Sequence, residues 1–467
     1  MLTTQKTPCA AFADARLQKR FTRIRQQLGS RFRQSIPQAT CSKGQTKGAY
    51  RFFNNERVQP AQLIHEQHDQ VEAALSQANE PLLCISDTSE LDYTRKRGAA
   101  QLGPLTYKRR RGMLLHTSML VQESGLPCGL LNQSFVVRQD DHFGQSYQRR
   151  PWPIEQKESY RWLADFKMMQ AWSQHYQVPL IFVADREADM MELFHARQYE
   201  QAHYVIRSQF NRCTTQRQTK LYGLLQQQPT CMHLSIEVTH PKTRALRTAH
   251  LEVRFVPVQI RLNASAQNMK AKKHLAAVSL FAVQVSEIDP PADLEQGINW
   301  VLLTSLPVQN SQDALRVIRI YLKRWCIERF HYLLKSGGVA IEELQLQSAA
   351  ALQNAITTYS IVVMDIMKIK YAAEHQPQLP IAELGIEPQV CQVLYQYVAQ
   401  TGATDIAFDP QHPPSAYEFC RVLGRLGGFI PSKRQPLPGI KILTRAWEQL
   451  DLILKVWQIA KNKDTPQ

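Results

Sequence analysis

Short apolar runs alternate with longer helical patterns through the first half of the chain. Leu82–Ile85 and Leu180–Val183 are apolar runs whose length and flanks are typical of buried strands, and each is soon followed by an aspartate. Strands are predicted at 81–87, 113–122, 130–138, 180–185 and 203–208, and helices at 158–176 and 186–199. This order of strands and helices predicts an α/β fold in which helices pack on a mixed sheet.

The remaining segments divide into helical and β-rich regions. Helical patterns cover residues 1–75, 313–335 and 345–371, whereas 220–305 contains four strand patterns and no long helical period. The tail from residue 380 begins rich in proline and then becomes helical. We therefore predict three domains: 1–75, a core at 76–372 with a β-rich insertion at about 220–305, and 373–467.

Large apolar residues repeat near the end of the chain with the spacing of a coiled-coil seam. The members are Ile440, Leu443, Trp447, Leu450, Leu454 and Trp457. Their alternating separations of three and four residues match the a and d positions of heptads. The pattern predicts either a dimer interface or a helix that packs within its own chain.

The N-terminal segment carries a large excess of positive charge. The chain of 467 residues has 56 Lys and Arg against 40 Asp and Glu, a net charge of +16. Residues 1–60 hold twelve of the basic residues, from Lys6 to Arg57, against two acids, and aromatic residues such as Phe21 and Phe53 are interleaved with them. This combination favours a folded module that binds a polyanion, and nucleic acid is the usual one.

Cysteine and hydropathy patterns exclude several classes of protein. The nine cysteines include no C-x-x-C pair and no zinc spacing with histidine, and their odd number favours reduced thiols. The polar and basic start predicts no signal peptide, and no run of 18 apolar residues occurs. We expect a cytoplasmic, nucleoid-associated protein that does not bind membranes.

Carboxylates provide the candidate chemistry. Asp87 and Asp185 follow the two buried strands, and ligands bind where strands of open α/β sheets end. Two neighbouring carboxylates favour a cation between them, and Mg²⁺ prefers oxygen ligands. An aspartate at a strand end is also a common helix N-cap, so the metal interpretation needs a third acid.

The predicted helix at 313–335 supplies that acid. Tyr321, Arg324, Glu328 and Lys335 fall within one stripe of a continuous helix at about 100° per residue. Such a stripe suits a metal and a phosphate, although a solvated face with ion pairs gives a similar pattern.

The ordered motifs resemble the bacterial cut-and-paste DDE transposases of the IS-four family, and within it the Tn-five branch. They are Cys84-Ile85-Ser86-Asp87-Thr88, Ala184-Asp185-Arg186-Glu187-Ala188-Asp189 and Tyr321-x-x-Arg324-x-x-x-Glu328-x-x-x-x-x-x-Lys335. Shorter similar stretches lie at 47–52, 157–159, 205–208, 300–305, 426–429 and 432–434, the last ending in Arg434. Asp185 follows Asp87 by 98 residues and Glu328 follows Asp185 by 143, which leaves room for the β-rich insertion. Cys326 and Arg329 depart from the family pattern.

The resemblance implies an RNase H-like catalytic core with Asp87, Asp185 and Glu328 as the metal-binding triad. It implies two Mg²⁺ ions, for which Mn²⁺ can substitute. Trp300 would stack on a base flipped out of the DNA end. The residues implied as DNA contacts are Arg207, Tyr321, Arg324 and Lys335 in the core, with Lys47, Tyr50 and Arg51 in the N-terminal domain.

The implied activity is cut-and-paste transposition. One strand is nicked, the freed 3′-OH forms a hairpin, the hairpin is opened, and the end joins target DNA. The implied partners are double-stranded DNA, as terminal inverted repeats and target, and a second copy of the chain held by the 373–467 domain. Two alternatives stay open: an RNase H-like nuclease that cuts without joining, and an inactive transposase-derived repressor.

Overall fold

A computed structural model of the chain describes residues 12–96, 98, 101–145, 147–216, 219–267, 270–294, 297–401, 408–433 and 435–463. Lys6 and Arg434, named above, lie outside these ranges. The fold class is mixed α/β, with a large mixed sheet and helices toward both ends of the chain. Two compact units form, one from Met1–Ala74, Thr88–Phe143 and Cys326–Gln467, the other from Leu75–Asp87 and Gly144–Trp325. The predicted division into three domains stays a prediction.

The strands and helices are as follows. The strands are β1 (Leu82–Asp92), β2 (Gly103–Pro104), β3 (Arg111–Gln122), β4 (Pro127–Val136), β5 (Leu180–Ala184), β6 (Ala202–Arg207), β7 (Cys213–Thr214), β8 (Met232–Thr239), β9 (Leu246–Arg261), β10 (Val278–Ile288) and β11 (Asn299–Thr304). The helices are α1 (Ala15–Ser30), α2 (Ile36–Thr40), α3 (Lys43–Phe53), α4 (Pro60–Ser76), α5 (Tyr160–Tyr176), α6 (Met191–His195), α7 (Leu221–Gln226), α8 (Ala264–Gln267), α9 (Ser311–Leu322), α10 (Trp325–Tyr332), α11 (Ala349–His375), α12 (Pro388–Gln400), α13 (Ala416–Leu426) and α14 (Ile440–Lys463). None of the helices in the described part of the chain has the length and apolar character that a membrane crossing requires.

The N-terminal helices of the first unit form around an aromatic core. Asp14 caps α1 by accepting from the Arg16 amide, and the aromatic ring of Phe21 is fully buried on the inner face of that helix. The rings of Phe21 and Phe52 stack with centroids 5.9 Å apart. The aromatic residues interleaved with the basic run therefore form the core of this module, and burial of their large apolar rings stabilises it.

The second unit is built on a sheet that changes from parallel to antiparallel. β1 pairs parallel with β5, and β5 pairs parallel with β6. β11 then pairs antiparallel with β6, and β10, β9 and β8 continue antiparallel from it. The β-rich segment between residues 220 and 305 thus extends the same sheet.

Two predicted elements near the aspartates differ from the structure. β1 continues to Asp92, so the prediction that the strand ends at Asp87 is wrong. Its polar second half stays extended beside β3, where the Tyr93 amide donates to the Arg111 carbonyl. The predicted helix at 186–199 is instead a 3-10 turn at Arg186–Ala188 and the short helix α6.

The prediction of one continuous helix at 313–335 is also wrong. α9 ends at Leu322, and the amides of Lys323 and Arg324 donate to carbonyls three residues earlier, at 3.1 and 3.0 Å. α10 follows, and a π-helical turn at Leu333–Gly337 carries Lys335. The four polar residues of the stripe therefore lie in three different backbone geometries. Backbone hydrogen bonds that span three or five residues give a different rotation per residue from the four-residue span of an α-helix, so the stripe is not continuous.

Half of the apolar seam in α14 is buried in the core, and Ile440, Leu454 and Trp457 are half-buried. Leu443, Trp447 and Leu450 are buried within the first unit, and the Trp447 ring meets Phe419 of α13 with centroids 6.3 Å apart. The dimer-interface interpretation of these three residues is wrong, because they already pack inside their own chain. The exposed apolar residues of α14 are a different set: Leu452, Val456 and Ile459.

Candidate active site and nucleic-acid interface

Two of the predicted acids, Asp87 and Asp185, lie on or next to the paired strands β1 and β5 of the second unit. The parallel register of β1 and β5 runs to Ile85 opposite Val183. Asp87 and Asp185 each lie two residues beyond that pair, Asp87 within β1 and Asp185 directly after the last residue of β5. Neighbouring strands are about 4.8 Å apart, so the two residues follow paired positions at one edge of the parallel pairing. The spacing of 98 residues in the sequence is the register offset of these strands.

Asp185 also acts as an N-cap. Its Oδ1 accepts from the Glu187 amide at 2.9 Å and starts the 3-10 turn. The capping role considered for a strand-end aspartate is therefore real. It engages one of the two carboxylate oxygens, so it is compatible with a second role for the residue.

Aromatic and basic side chains gather around the acids of this unit. Arg324 Nη1 lies 3.3 Å from Asp87 Oδ2, and the same guanidinium lies 5.8 Å from the centroid of the Tyr321 ring. The rings of Tyr321 and Trp300 meet edge to face with centroids 5.9 Å apart. The structure thus brings Asp87 to a cluster of three predicted residues that lie more than 200 positions later in the sequence, Trp300, Tyr321 and Arg324.

The electrostatics of Tyr321 place Arg207 and Asp185 in the same neighbourhood. Burial raises the pKa of the Tyr321 phenol above its usual value, and the carboxylate of Asp185 acts in the same direction. The guanidinium groups of Arg324 and Arg207 oppose this shift. Tyr321 is therefore a neutral hydrogen-bond donor at physiological pH.

Glu328 and Lys335 belong to the first unit. Glu328 is half-buried on α10. Lys335 Nζ donates to the Glu90 carbonyl at 2.7 Å and lies 3.4 Å from the Glu342 carboxylate. Across the described ranges, no group of three or more His, Cys, Asp or Glu side chains is arranged to hold a metal ion. The three-acid metal site stays a prediction.

Polar contacts to β3 hold the elements that carry Asp87 and Glu328. Thr88, which follows Asp87, places its Oγ1 2.8 Å from Nδ1 of the buried His116 on β3. The next residue, Thr117, places its Oγ1 3.4 Å from Nε2 of His331, one turn after Glu328 on α10. His116 and Thr117 point to opposite faces of β3, so the strand contacts Thr88 of its sheet neighbour β1 on one face and His331 of α10 on the other.

The N-terminal module presents a basic groove between α2 and α3. Ser42 caps α3 by accepting from the Gln45 amide. The groove has a volume of about 680 Å³, and its lining residues are Pro37, Cys41, Ser42, Lys43, Thr46, Lys47, Tyr50, Arg51 and Asn54. Lysine, arginine, tyrosine and asparagine on one helix face are suited to phosphates and base edges.

A known protein family matches the part of the chain that forms this groove. Residues 3–58 match the family model described as Transposase DNA-binding. All the groove residues lie inside the matched range. The match supports a transposase and a DNA-binding role for the N-terminal module. It does not extend to the residues around Asp87, Asp185 and Glu328.

Sequence reasoning missed a buried ion pair beside the site. The Asp189 carboxylate accepts from Arg212 Nη2 at 2.6 Å and from the Gln209 amide at 2.7 Å. Its side chain is fully buried, and these contacts fix the segment that follows Arg207 at the end of β6. Asp189 is the last residue of the motif that begins at Ala184, and its place in that motif was the sequence signal for a role. The ion pair itself could not be predicted, because Arg212 lies 23 residues away.

Proposed function

We propose that the chain is a DDE transposase that moves DNA by a cut-and-paste mechanism. The observation that carries the proposal is that Asp87 and Asp185 each follow the Ile85–Val183 pair of the parallel strands β1 and β5 by two residues, with Arg324 beside Asp87 and the Tyr321 and Trp300 rings next to Arg324. The N-terminal match to a transposase DNA-binding family supports it independently. We assign the core to the RNase H-like class, since an antiparallel hairpin, β3 and β4, follows β1 and two parallel strands come later.

The donor set fits divalent cations. Asp87, Asp185 and Glu328 would hold two Mg²⁺ ions, which take oxygen ligands and for which Mn²⁺ can substitute. When bound, such a pair activates the attacking oxygen and stabilises the leaving oxygen in phosphodiester chemistry. In the structure the Arg324 guanidinium provides a positive charge beside Asp87.

The other residues bind and orient DNA. Arg324, Arg207 and Lys335 contact phosphates near the scissile bond, and Tyr321 donates a hydrogen bond as a neutral phenol. Trp300 stacks on a base turned out of the duplex, which offsets the unstacking by about 1–3 kcal/mol. In the reaction, water first nicks one strand and leaves a 3′-OH. This hydroxyl attacks the opposite strand and forms a hairpin, a second water opens the hairpin, and the 3′-OH joins target DNA.

The test separates catalysis from binding. Asp87→Asn, Asp185→Asn and Glu328→Gln should each abolish Mg²⁺-dependent cleavage of a duplex carrying the inverted repeat beside the gene, yet bind it normally in a gel shift. Each change removes one ligand charge, whereas affinity comes from many phosphate contacts. Lys47→Gln with Arg51→Gln should show the opposite result, with weaker binding of the repeat.

Three outcomes contradict the proposal in different ways. Cleavage within tenfold of wild type in one acid variant would remove that residue from the site. Cleavage without joining by the wild type would identify a nuclease. Specific binding with no cleavage in either Mg²⁺ or Mn²⁺ would identify a repressor.

A further inference from the structure

A strongly basic turn projects from the first unit between β2 and β3. Its sequence is Tyr107-Lys108-Arg109-Arg110, and all four residues are exposed. The Arg110 guanidinium lies over the Tyr107 ring, 5.4 Å from its centroid. An aromatic ring beside consecutive cations on an exposed turn is a common nucleic-acid-binding arrangement.

The turn is held rigidly despite its exposure. Leu105 is buried, and its amide donates to the Arg110 carbonyl at 3.0 Å. The Arg110 amide donates in turn to the Tyr107 carbonyl at 2.8 Å. The amide and hydroxyl of Thr106 both donate to the Glu90 carboxylate, at 2.8 and 2.6 Å. A rigid turn presents its charges with little loss of entropy on binding.

Glu90 links this turn to a residue of the proposed active site. While its carboxylate holds Thr106, its backbone carbonyl accepts from Lys335 Nζ at 2.7 Å. Two nearby acids face arginines other than Arg109, since Asp92 lies 3.8 Å from Arg110 at the end of the turn and Asp140 pairs with Arg111, the first residue of β3. Lys108 and Arg109 at the tip therefore continue the positive charge outward from Lys335.

We infer that the β2–β3 turn binds the phosphodiester backbone of DNA adjoining the segment contacted by Lys335. The inference rests on the proposed function for the location of the DNA, and on the turn itself for the chemistry. Lysine and arginine contacts to phosphates position a duplex without reading its sequence. The turn would thus act as a second anchor, separate from the groove of α2 and α3.

The test measures the salt dependence of binding to a random-sequence duplex, which requires no catalysis. In the full-length protein, Lys108→Gln with Arg109→Gln should make the slope of log K against log[KCl] shallower by about 0.9 for each phosphate that is no longer neutralised, or about 2 in all. Lys242→Gln with Arg244→Gln, on the exposed turn between β8 and β9, removes the same charge elsewhere and should leave the slope close to wild type.

Further arms assign the DNA segment and keep the two hypotheses separate. Weaker binding only of duplexes that extend beyond the inverted repeat assigns the contact to flanking DNA, and weaker binding of the repeat alone assigns it to the transposon end. Lys108→Arg with Arg109→Lys should retain the slope. An unchanged slope in the neutralised turn, or an equal change in the control pair, would overturn the inference. A shallower slope for Lys108→Gln with Arg109→Gln, together with no cleavage by the wild-type protein, would have two consequences. The turn would remain a DNA contact, and the proposed reaction would be rejected.

Discussion

One hydrogen bond ties the chain neighbour of Asp87 to the core. Thr88 contacts the buried His116 at 2.8 Å, and Thr88 is the chain neighbour of Asp87. Asp87 and Thr88 are consecutive strand residues and point to opposite faces of β1, so the threonine lies on the face away from the Asp87 carboxylate. Its contact controls where the strand sits, and through it where the Asp87 carboxylate lies.

Replacing Thr88 with Val should slow cleavage about five- to tenfold, because one hydrogen bond contributes about 1 kcal/mol. DNA affinity should not change, since the substitution leaves every phosphate-binding side chain in place. Thr88→Ser should restore the rate because it retains the hydroxyl. Single-turnover cleavage and gel shifts on the same preparations measure both effects.

The control for this change is Thr358→Val, at a buried threonine whose hydroxyl donates to the Asn354 carbonyl within α11. A decrease in rate of the same size in Thr358→Val, or in Thr88→Ser, would mean that Thr88 supports the fold generally and does not position the acid.

At the scale of elements, β6 lies where the sheet changes from parallel to antiparallel. It pairs parallel with β5 on one side and antiparallel with β11 on the other. His203 on this strand lies 3.3 Å from the Ser305 hydroxyl. Burial, with a contribution from Arg197, lowers the pKa of the His203 imidazole to about 4. The folded strand therefore holds this histidine neutral.

This shift predicts acid sensitivity with a defined sign. A histidine in the unfolded chain has a pKa of about 6.5, so on acidification the unfolded state takes up the proton first. The free energy of unfolding should fall as the pH drops from about 6.5 to about 4, and this contribution should level off below that. Urea unfolding of His203→Gln should show a flatter pH profile over this window than wild type. The control His233→Gln, exposed on β8, should follow wild type; a wild-type profile for His203→Gln would contradict the assignment.

At the scale of the whole molecule, pairing of two DNA ends requires two copies of the proposed transposase. The apolar residues that α14 exposes are Leu452, Val456 and Ile459, between 59% and 62% exposed and spaced by four and three residues. This spacing places them on one face of the helix. We propose that this face, in place of the buried half of the predicted seam, contributes to the homodimer.

Changing Leu452, Val456 and Ile459 together to Gln should eliminate paired-end complexes and cleavage but leave single-end binding and thermal stability intact. Trp447→Ala should instead destabilise the fold by about 3–5 kcal/mol, because it removes a buried indole. Light scattering, native gels of end complexes and thermal unfolding separate the two effects. A triple variant that still pairs two ends would show that the dimer forms elsewhere.

The local sequence pattern alone predicted many of the strands and the N-terminal module. Apolar runs located β5 and the start of β1, and alternation located the four strands at 232–304. The basic run with interleaved aromatics predicted the N-terminal module, whose range matches a transposase DNA-binding family. These features are readable because strand and helix periodicity, and local charge, depend on residues close together in the chain.

Only the tertiary structure decided the remainder. The extension of β1 past Asp87 depends on hydrogen bonds to β3, and the interruption of the 313–335 helix at Lys323 is absent from the apolar pattern. The role of Trp447 depended on Phe419, which lies in another helix. The meeting of Asp87 with Arg324 joins residues 237 positions apart. Such contacts are set by packing between distant segments, and no local periodicity encodes which segments will meet.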